Sequence, residues 1–493
     1  MSFLKKIFGR KAGPAHTLSP RQVDPDALTV LHRLNGKGFT AYLVGGGVRD
    51  LLLGRTPKDF DVVTDAFPKQ IKRIFGRQAF IIGRRFQLVL IFFGPHREKQ
   101  IETATFRRDP EAPKGAGHPE REGALYQMSD NCFGTPEEDA YRRDFTVNAL
   151  FWDPKTGEII DHTGGLADLS AKVLRCIGDP NVRFREDPVR MLRAIRLSSR
   201  LGFTIHADSL AAIHRYGSEI ASASRPRLFE ELLRLFTFGK SREALFRLHE
   251  TGLMKETLPE VDAYVGRSGA DRSPLWRYLE RLDAVSDSFD TEHRDRPEFV
   301  QENAIRLAVL LAPLFRERMA ALGAVSPGRV AEALVDEVVV APFLTGGWRV
   351  PRALCEDLAA ILASLVSYRG SKFHRRAIIG RPWFSTALRL WHIVAEAEND
   401  REAGAALAEW DRQFAEYVAT PHPPRAGTYV PTDPDKAGAE GFPGDEPEDR
   451  DALFPNGRTP PPKRKHRRGG RHRHARRGPG DSTPTPPQDN AGN

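Results

Sequence analysis

The sequence predicts an α+β protein in which a region with a mixed β-sheet precedes an all-α region and a disordered basic tail. Up to about residue 168, short apolar segments of strand length alternate with turns and short helices. From about residue 180 to residue 417, long amphipathic segments with helical spacing replace them. After about residue 418, Pro, Gly and charged residues dominate, which predicts disorder.

These shifts in pattern divide the chain into five parts. We expect residues 1–23 to be flexible, 24–168 to carry the sheet, 169–240 and 241–418 to form two successive helical regions, and 419–493 to be disordered. With 493 residues, 40% of them hydrophobic, the chain can bury a substantial core.

Seven segments of the first folded region combine apolar alternation with the turn boundaries that are typical of strands. In chain order they are AYLVGG, FDVVT, AFIIG, FQLVLIFF, IETATF, NALFWD and EIIDHTGG. Four later segments have the spacing of amphipathic helices: DPVRMLRAIRLSSRLGF, RLFEELLRLFTFG, AIRLAVLLAPLF and AALAEWDRQFAEYV.

The positive charge of the protein is concentrated in one stretch of the tail, KRKHRRGGRHRHARR. Its nine cations equal the whole net charge of +9, so the rest of the chain is near neutral. They are Lys463, Arg464, Lys465, Arg467, Arg468, Arg471, Arg473, Arg476 and Arg477. A run of arginines without acids favours RNA or DNA binding, because each neutralised phosphate releases counterions. The alternative is a solubilising tail.

Cysteine content and hydropathy bear on the cellular compartment. The three cysteines are far apart and form no Cys-x-x-Cys pair, so neither a zinc site nor a disulfide framework is indicated. No apolar run approaches the roughly 20 residues of a membrane span, and MSFLKKIFGRKAG is too short for a signal-peptide core. We therefore expect a cytoplasmic protein with a frayed N-terminus, the alternative being a weak contact of that segment with a membrane surface.

A glycine turn follows the first predicted strand, Ala41 to Val44. Gly45, Gly46 and Gly47 allow the backbone to approach a ligand closely, and a helix is expected from Val48 until Gly54 stops it. Free N–H groups at such a turn can face a phosphate. A plain strand-to-helix turn is the alternative, since the glycines match neither a Walker A motif nor a complete dinucleotide fingerprint.

Two aspartates flank Phe60 in the next predicted strand. Residues two apart in a strand share a face at about 7 Å, so Asp59 and Asp61 are expected to point together while Phe60 enters the core. Two carboxylates side by side repel each other unless a cation intervenes. A pair of Mg²⁺ ions about 3.5 to 4 Å apart is used for in-line nucleotidyl transfer, and we predict such a site here rather than a solvated strand edge. Glu102 and Asp144 are both candidates for a third carboxylate.

Taken together, these motifs resemble the class II nucleotidyltransferases of the DNA polymerase beta superfamily, which include bacterial poly(A) polymerases and CCA-adding enzymes. The resemblance extends from Ala41 to Glu231. The motifs that carry it are Gly45-Gly46, Arg49-Asp50, Asp59-x-Asp61, EEDAYRRDFTVNAL (residues 137–150) and REDPVRMLRAIRL (residues 185–197). It implies that residues 24–168 form a catalytic head, residues 169–240 a helical neck and residues 241–418 a helical body, with a flexible head-to-neck connection at Gly164-Gly165 to Asp168.

The resemblance also implies roles for individual residues. It assigns the triphosphate of the incoming nucleotide to Gly45, Gly46 and Arg49, and metal ions to Asp59 and Asp61. It also places Arg143 near the ribose and gives Asp144 an active-site role. Glu102, which the strand pattern suggests, is kept as an additional candidate carboxylate. In the neck, the residues that match the base-reading Asp and Arg of the family are Asp187 and Arg190.

The chemistry of the neck pair favours two of the four nucleotides. A carboxylate accepts from an exocyclic amino group and a guanidinium donates to the neighbouring ring nitrogen, a pattern that adenine and cytosine present and that uracil and guanine reverse. A structural alternative exists, in which Asp187 caps a helix that starts with Pro188 and Glu186 pairs with Arg190.

Further features of the sequence favour polyadenylation over CCA addition. The segment IIGRRFQLVLI, with Gln87-Leu88 after Phe86, resembles poly(A) polymerases, as do DNCFGTPEEDAYRRDFT and the basic tail. We therefore predict that the protein adds AMP from ATP to RNA 3′ ends, with RNA-decay proteins as further partners. The alternatives are CCA addition to tRNA and a non-catalytic RNA-binding protein.

Overall fold

A computed structural model describes residues 17–83, 87–108, 132–285, 297–323, 325–344, 349–367 and 378–420, without side chains for 297–300. The described residues all lie in one compact unit. The expectations for the N-terminal segment MSFLKKIFGRKAG, for residues 84–86 and for the tail with Lys463, Arg464, Lys465, Arg467 and Arg468 lie outside the described residues.

All seven predicted strands are present, and they form one mixed sheet. The strands are β1 (Ala41–Val44), β2 (Asp61–Thr64), β3 (Ala79–Ile82), β4 (Leu88–Phe93), β5 (Lys99–Thr105), β6 (Leu150–Trp152) and β7 (Ile159–Asp161). They are arranged in the order β3-β4-β5-β2-β1-β6-β7. Among these strands β2 and β5 run parallel and the other neighbours run antiparallel. The start of β2 therefore lies beside the middle of β5.

The first long helix shows how the sequence specifies its own start and buried face. Helix α1 (Pro25–Gly36) follows Asp24, whose carboxylate accepts from the backbone N–H groups of Asp26 at 2.9 Å and Ala27 at 3.3 Å. The apolar side chains of Ala27, Val30, Leu31 and Leu34 recur with helical spacing, so they lie on one face, and they are fully buried. The other helices of the head are α2 (Gly46–Leu52), α3 (Pro68–Phe75), α4 (Pro136–Arg142) and α5 (Gly165–Ala171).

The folded head begins earlier than the sequence predicts. Leu18, which we placed in a flexible segment, is buried and its backbone N–H donates to the Gly157 carbonyl at 3.1 Å. The indole of Trp152 donates to the Leu18 carbonyl at 3.2 Å. Residues 17–23 are thus held against the end of the sheet by β6 and the turn that follows it.

The remainder of the described chain is helical, apart from a short parallel pair, β8 (Val173–Leu174) and β9 (Thr204–Ile205). The helices are α6 (Pro180–Glu186), α7 (Val189–Leu201), α8 (Ala207–Tyr216), α9 (Arg225–Arg234), α10 (Ser241–Glu250), α11 (Leu253–Thr257), α12 (Pro259–Arg267), α13 (Pro274–Val285), α14 (Pro297–Leu322), α15 (Pro327–Val335), α16 (Arg352–Ala363), α17 (Phe384–Glu398) and α18 (Ala403–Ala419). They include the four predicted amphipathic segments. No helix in the described part is long and apolar enough to cross a membrane.

Large aromatic side chains fill the core between the last helices. Trp391 of α17 and Trp410 of α18 have ring centroids 5.1 Å apart, and Phe384 packs on both rings at 5.7 and 5.6 Å. All three side chains are buried, and edge-to-face aromatic pairs add to the stabilisation that burial provides. This cluster holds α17 and α18 together.

The segment expected to be a flexible head-to-neck connection is instead firmly anchored. The Asp161 carboxylate accepts from four successive backbone N–H groups, those of residues 163–166, at 2.9 to 3.1 Å. Asp168 accepts from the Thr146 hydroxyl at 2.7 Å and pairs with Arg175 at 3.0 Å. Helix α5 is therefore fixed to the head. The backbone of its first turn is bonded to Asp161, and its Asp168 side chain is bonded to Thr146.

Gly165 is the position where this packing leaves no space for a side chain. A Cβ atom there would lie 2.2 Å from the Thr146 carbonyl oxygen, so Gly165→Ala should force α5 away from the head. We expect the free energy of unfolding to fall by about 1–3 kcal/mol, as in other overpacked sites. Gly266→Ala in α12 is the matched control, because a Cβ there meets nothing within 4 Å, and it should leave stability unchanged or raise it by about 0.5–1 kcal/mol. Urea unfolding measures both, and equal stabilities would contradict the close packing.

Candidate active site

The glycine turn after β1 lies directly against the two predicted catalytic aspartates. Gly45 has φ +79° and ψ −139°, a conformation that side chains rarely adopt. A Cβ atom at Gly45 would lie 3.6 Å from both the Asp61 Oδ2 atom and the Arg143 Nη1 atom, and one at Gly47 would lie 3.2 Å from the Asp59 carbonyl. The backbone of the turn, which carries no side chains, therefore lies next to Asp59, Asp61 and Arg143. Helix α2 begins at Gly46, two residues before the predicted start at Val48.

The register of the sheet places a third carboxylate beside this pair. Val62 of β2 is paired with Thr103 of β5, so Asp61 and Glu102 each precede that pair by one residue. Asp59 is exposed and lies before the strand, which differs from the predicted arrangement of both aspartates on one strand face. The three acids nevertheless form one cluster of negative charge.

Burial and the neighbouring acids raise the pKa of Asp61. Burial and the nearby Glu102 carboxylate raise the pKa of Asp61 to about 7, with a further rise from Asp59 and an opposing effect from Arg143. A carboxyl group in this environment is destabilised when ionised and attracts a compensating cation. Carboxylate oxygens are also the ligands that Mg²⁺ prefers.

The acids alone do not form a closed metal cage. Among the described residues, no group of three or more His, Cys, Asp or Glu side chains is arranged to hold a metal ion. This agrees with the usual coordination of Mg²⁺, which binds through one or two carboxylates and completes its shell with water and substrate phosphates. The residues at the start of β2 and on β5 fit such an open site.

Hydrogen bonds within the head hold the side chain of Arg49. It is buried, and its guanidinium donates to Asp50 at 2.9 Å and to the Asn148 side-chain oxygen at 2.5 Å. A Cβ atom at Gly46 would lie 3.4 Å from Arg49 Nη2, so the arginine also supports the glycine turn. Its contact with a triphosphate stays a prediction.

Asp144 is engaged by the neck rather than by the other acids. Its Oδ2 atom accepts two hydrogen bonds from Arg193, at 2.8 and 2.6 Å, and its Oδ1 atom accepts from the Phe145 backbone N–H and the Asn148 side chain. Although burial alone would raise it, the Arg193 guanidinium and these hydrogen bonds lower the pKa of Asp144 to about 2. Of the two candidates for a third carboxylate, Glu102 is therefore the one that adjoins Asp61.

A cavity of about 370 Å³ lies between the head and the neck. It is lined by Arg143, Asp144, Asp187, Val189, Arg190, Arg193, Arg227, Glu230, Glu231 and Arg234. The fold thus brings four predicted site residues from two regions of the sequence to one pocket. Arg143 also affects the pKa of Asp61, so the pocket adjoins the carboxylate cluster. A larger cavity of about 540 Å³ is lined only by residues of α13, α17, α18 and the turn between the last two, and shares none of these groups.

The predicted base-reading pair lies at the neck side of this pocket. The Asp187 Oδ2 atom is 4.0 Å from Arg190 Nε and accepts from Arg227 Nη2 at 2.8 Å. Arg190 also pairs with Glu186 at 3.2 Å, as the structural alternative predicted. The helix-capping role of Asp187 is wrong, because α7 begins at Val189 without a side-chain cap and the carboxylate is held by Arg227.

The sequence analysis missed the residues that hold the pocket together. They are Asn148, Arg193, Arg227, Glu230, Glu231 and Arg234. Glu231 of α9 is almost fully buried and lies 2.8 to 3.3 Å from Arg193, Arg196 and Arg234. A signal was present, since arginines recur every three residues in VRMLRAIR, which places them along one side of α7.

The paired Asp144 carboxylate makes stability depend on pH. Because its pKa is lower in the folded protein than in the unfolded chain, its contribution is complete above pH 3.8 and is lost as the pH falls towards about 2. Asp144→Asn should lower the free energy of unfolding by about 2 kcal/mol at pH 7, and the difference from the wild type should shrink below pH 3.8.

Urea unfolding between pH 7 and pH 3 measures this difference. Asp208→Asn is the control, since its side chain is 80% exposed and its loss should leave stability unchanged. An Asp144→Asn variant as stable as the wild type at pH 7 would show that the pair with Arg193 adds nothing to stability.

Two family models match this chain. Residues 41–175 match the family model described as poly A polymerase head domain. Residues 202–265 match the model described as "Probable RNA and SrmB- binding site of polymerase A". The two matches follow each other in the order of the head and neck.

Similar proteins extend the match over most of the chain. Poly(A) polymerase I of Salmonella typhi is 34% identical over 86% of this chain and 88% of its own length. A CCA-adding enzyme of Geobacillus thermodenitrificans is 36% identical over 50% of this chain and 58% of its own. The crystal structure of the Bacillus stearothermophilus CCA-adding enzyme in complex with CTP superimposes with a TM-score of 0.54, at 25% identity over 82% of this chain and 90% of that one. This chain therefore belongs to the poly(A) polymerase family and is an RNA nucleotidyltransferase.

Proposed function

We propose that the protein adds AMP residues to RNA 3′ ends without a template, converting ATP and RNA(n) to RNA(n+1) and diphosphate, in RNA processing and decay. The observation that carries this proposal is the extent of the match. A protein named poly(A) polymerase I is similar over 86% of this chain, whereas the CCA-adding enzyme named above is similar over half of it. CCA addition to tRNA is the second candidate, because a CCA-adding enzyme shares the fold over 82% of the chain.

The acid cluster is the proposed catalytic centre. Asp59 and Asp61 would hold two Mg²⁺ ions, with Glu102 as an additional carboxylate beside Asp61. Bound there, Mg²⁺ would promote ionisation of the RNA 3′-hydroxyl and stabilise the charge on the leaving diphosphate. Gly45 and Arg143 adjoin Asp61, so the glycine turn and this guanidinium are suited to bind the triphosphate.

The pocket between head and neck is the proposed nucleobase site. Asp187 would accept from the amino group of adenine while Arg190 donates to ring nitrogen N1. Asp144 acts here as a positioning residue, because it fixes Arg193 and through it the helix that carries Arg190. This selection excludes UTP and GTP, whose Watson–Crick edges present the reverse pattern.

Further partners are proposed for the part of the chain beyond the described residues. The arginine-rich stretch would hold RNA through its phosphates without regard to sequence, which suits an enzyme that extends many different RNAs. The Pro-rich segment before it would recruit RNA-decay proteins.

The proposal is tested by supplying the protein and Mg²⁺ with an unstructured RNA and with a tRNA that lacks its CCA end. ATP alone should give long extensions of the unstructured RNA. Extension that requires CTP and stops after three nucleotides on the tRNA would instead show CCA addition. Asp59→Ala and Asp61→Ala should abolish incorporation while RNA binding, measured by filter retention, remains, and activity in either variant would contradict the assignment of the carboxylates.

The raised pKa of Asp61 predicts how Mg²⁺ dependence should vary with pH. Because a carboxyl group must lose its proton to bind a metal ion, Mg²⁺ and protons compete below a pH of about 7. We expect the Mg²⁺ concentration that gives half-maximal activity to fall about tenfold between pH 6 and pH 8.

Glu102→Gln is the matched variant for this measurement. Removal of the neighbouring negative charge should lower the pKa of Asp61, so the pH at which Mg²⁺ dependence changes should move to a lower value. A Mg²⁺ requirement that does not vary with pH, or a midpoint that Glu102→Gln leaves in place, would count against Asp61 as the titrating ligand.

A further inference from the structure

Asp187 and Arg190 do not by themselves distinguish ATP from CTP. Adenine and cytosine both present an amino group next to a ring acceptor on the Watson–Crick edge, so a carboxylate and one guanidinium bind either base. Polyadenylation therefore requires a further feature that distinguishes adenine from cytosine, and an additional contact to adenine is one such feature. The selection of ATP over CTP rests on the proposed function and concerns the same pocket.

Arg227 is a second guanidinium on the carboxylate of Asp187. It lies in the first turn of α9, and its Nη2 atom donates to Asp187 Oδ2 at 2.8 Å. Arg190 approaches the same carboxylate from the first turn of α7, with Nε at 4.0 Å. Both arginines line the cavity between head and neck, so Asp187 is bracketed by donors from two different helices.

This arrangement matches adenine better than cytosine. The amino group of adenine has an acceptor nitrogen on each side, N1 on the Watson–Crick edge and N7 on the Hoogsteen edge. The amino group of cytosine has the acceptor N3 on one side and a C5–H group on the other. We propose that Arg227 donates to N7 of the incoming ATP while Asp187 and Arg190 bind its amino group and N1, so that Arg227 is the residue that selects ATP over CTP.

The other arginines of the cavity are already engaged by acids. Arg193 is bonded to Asp144 and lies 3.3 Å from Glu231, and Arg234 pairs with Glu231 and with Glu230. Arg227 uses Nη2 on Asp187, and its side chain is 55% exposed. Its remaining N–H groups are therefore accessible to a base that enters the pocket.

The test compares ATP with 7-deaza-ATP, in which a C–H group replaces N7 and the amino group and N1 are retained. For the wild-type protein we expect kcat/KM for the first addition to an unstructured RNA to be about tenfold lower with 7-deaza-ATP than with ATP, the loss of one hydrogen bond from a charged donor. In Arg227→Ala the two nucleotides should be used equally well. The preference for ATP over CTP should fall by a similar factor.

Arg225→Ala is the matched control. Arg225 starts the same helix but does not line the cavity, so this variant should keep both preferences. Equal use of ATP and 7-deaza-ATP by the wild type would overturn the proposal. So would an Arg227→Ala variant that slows both nucleotides by the same factor, because that result would limit Arg227 to positioning Asp187.

Failure of the N7 contact can be distinguished from failure of the proposed polyadenylation. If the protein fails to extend the unstructured RNA with ATP alone, polyadenylation is rejected. The ratio of ATP to 7-deaza-ATP can then still be measured at the final addition to a tRNA that ends in CC. A wild-type preference that Arg227→Ala abolishes there would support the N7 contact, and its absence would overturn it.

Discussion

A closed network of buried and half-buried polar side chains links the head to the neck, and the geometry of the site depends on it. In order, its members are Arg200, Asp50, Arg49, Asn148, Asp144 and Arg193. Asn148 joins its two halves, since it accepts from one side and donates to the other. Arg193 and Arg200 are seven residues apart on α7 and therefore lie on one face. Two turns of a single neck helix are thus bonded to α2, which carries the glycine turn, and to the segment between α4 and β6.

The same part of the fold gives two aspartates opposite electrostatic environments. Asp144 is half-buried and bonded to a guanidinium, so its pKa falls to about 2 and it stays ionised as a structural anchor. Asp61 is half-buried near the exposed Glu102 carboxylate, and its pKa rises to about 7, so it favours a metal ion or a proton. Replacement of a whole buried ion pair by apolar residues often costs little stability, whereas removal of one partner is strongly destabilising. We infer that the network serves mainly to hold the pocket in place, while Asp61, which lies outside the network, is the proposed reactive carboxylate.

Local patterns in the sequence predicted the strands and the glycine turn, because period-two alternation and short motifs are local properties. The base-reading role of Asp187 and Arg190 came from the family resemblance and stays a prediction. Local patterns could not predict which strands pair with each other or in what register. Glu102 adjoins Asp61 because β2 and β5 pair in parallel, a fact that no motif encodes. Asp187 does not cap α7 because Arg227, 40 residues later, binds its carboxylate instead. Where a polar side chain had two possible local roles, its distant partner decided between them.

Arg143 lies between the acid cluster and the cavity proposed to bind the base. Its guanidinium donates to Asp139 of α4 at 3.1 and 2.8 Å and lies 5.5 Å from the centre of the Phe151 ring, so both a rigid helix and the sheet fix it. From there it lines the cavity between head and neck and also lies near Asp61. In the proposed mechanism, a nucleotide whose base lies in this cavity would extend its phosphates past Arg143 towards the acids. The same fixed side chain would then couple selection of the nucleotide to its reaction, and no template strand would be needed.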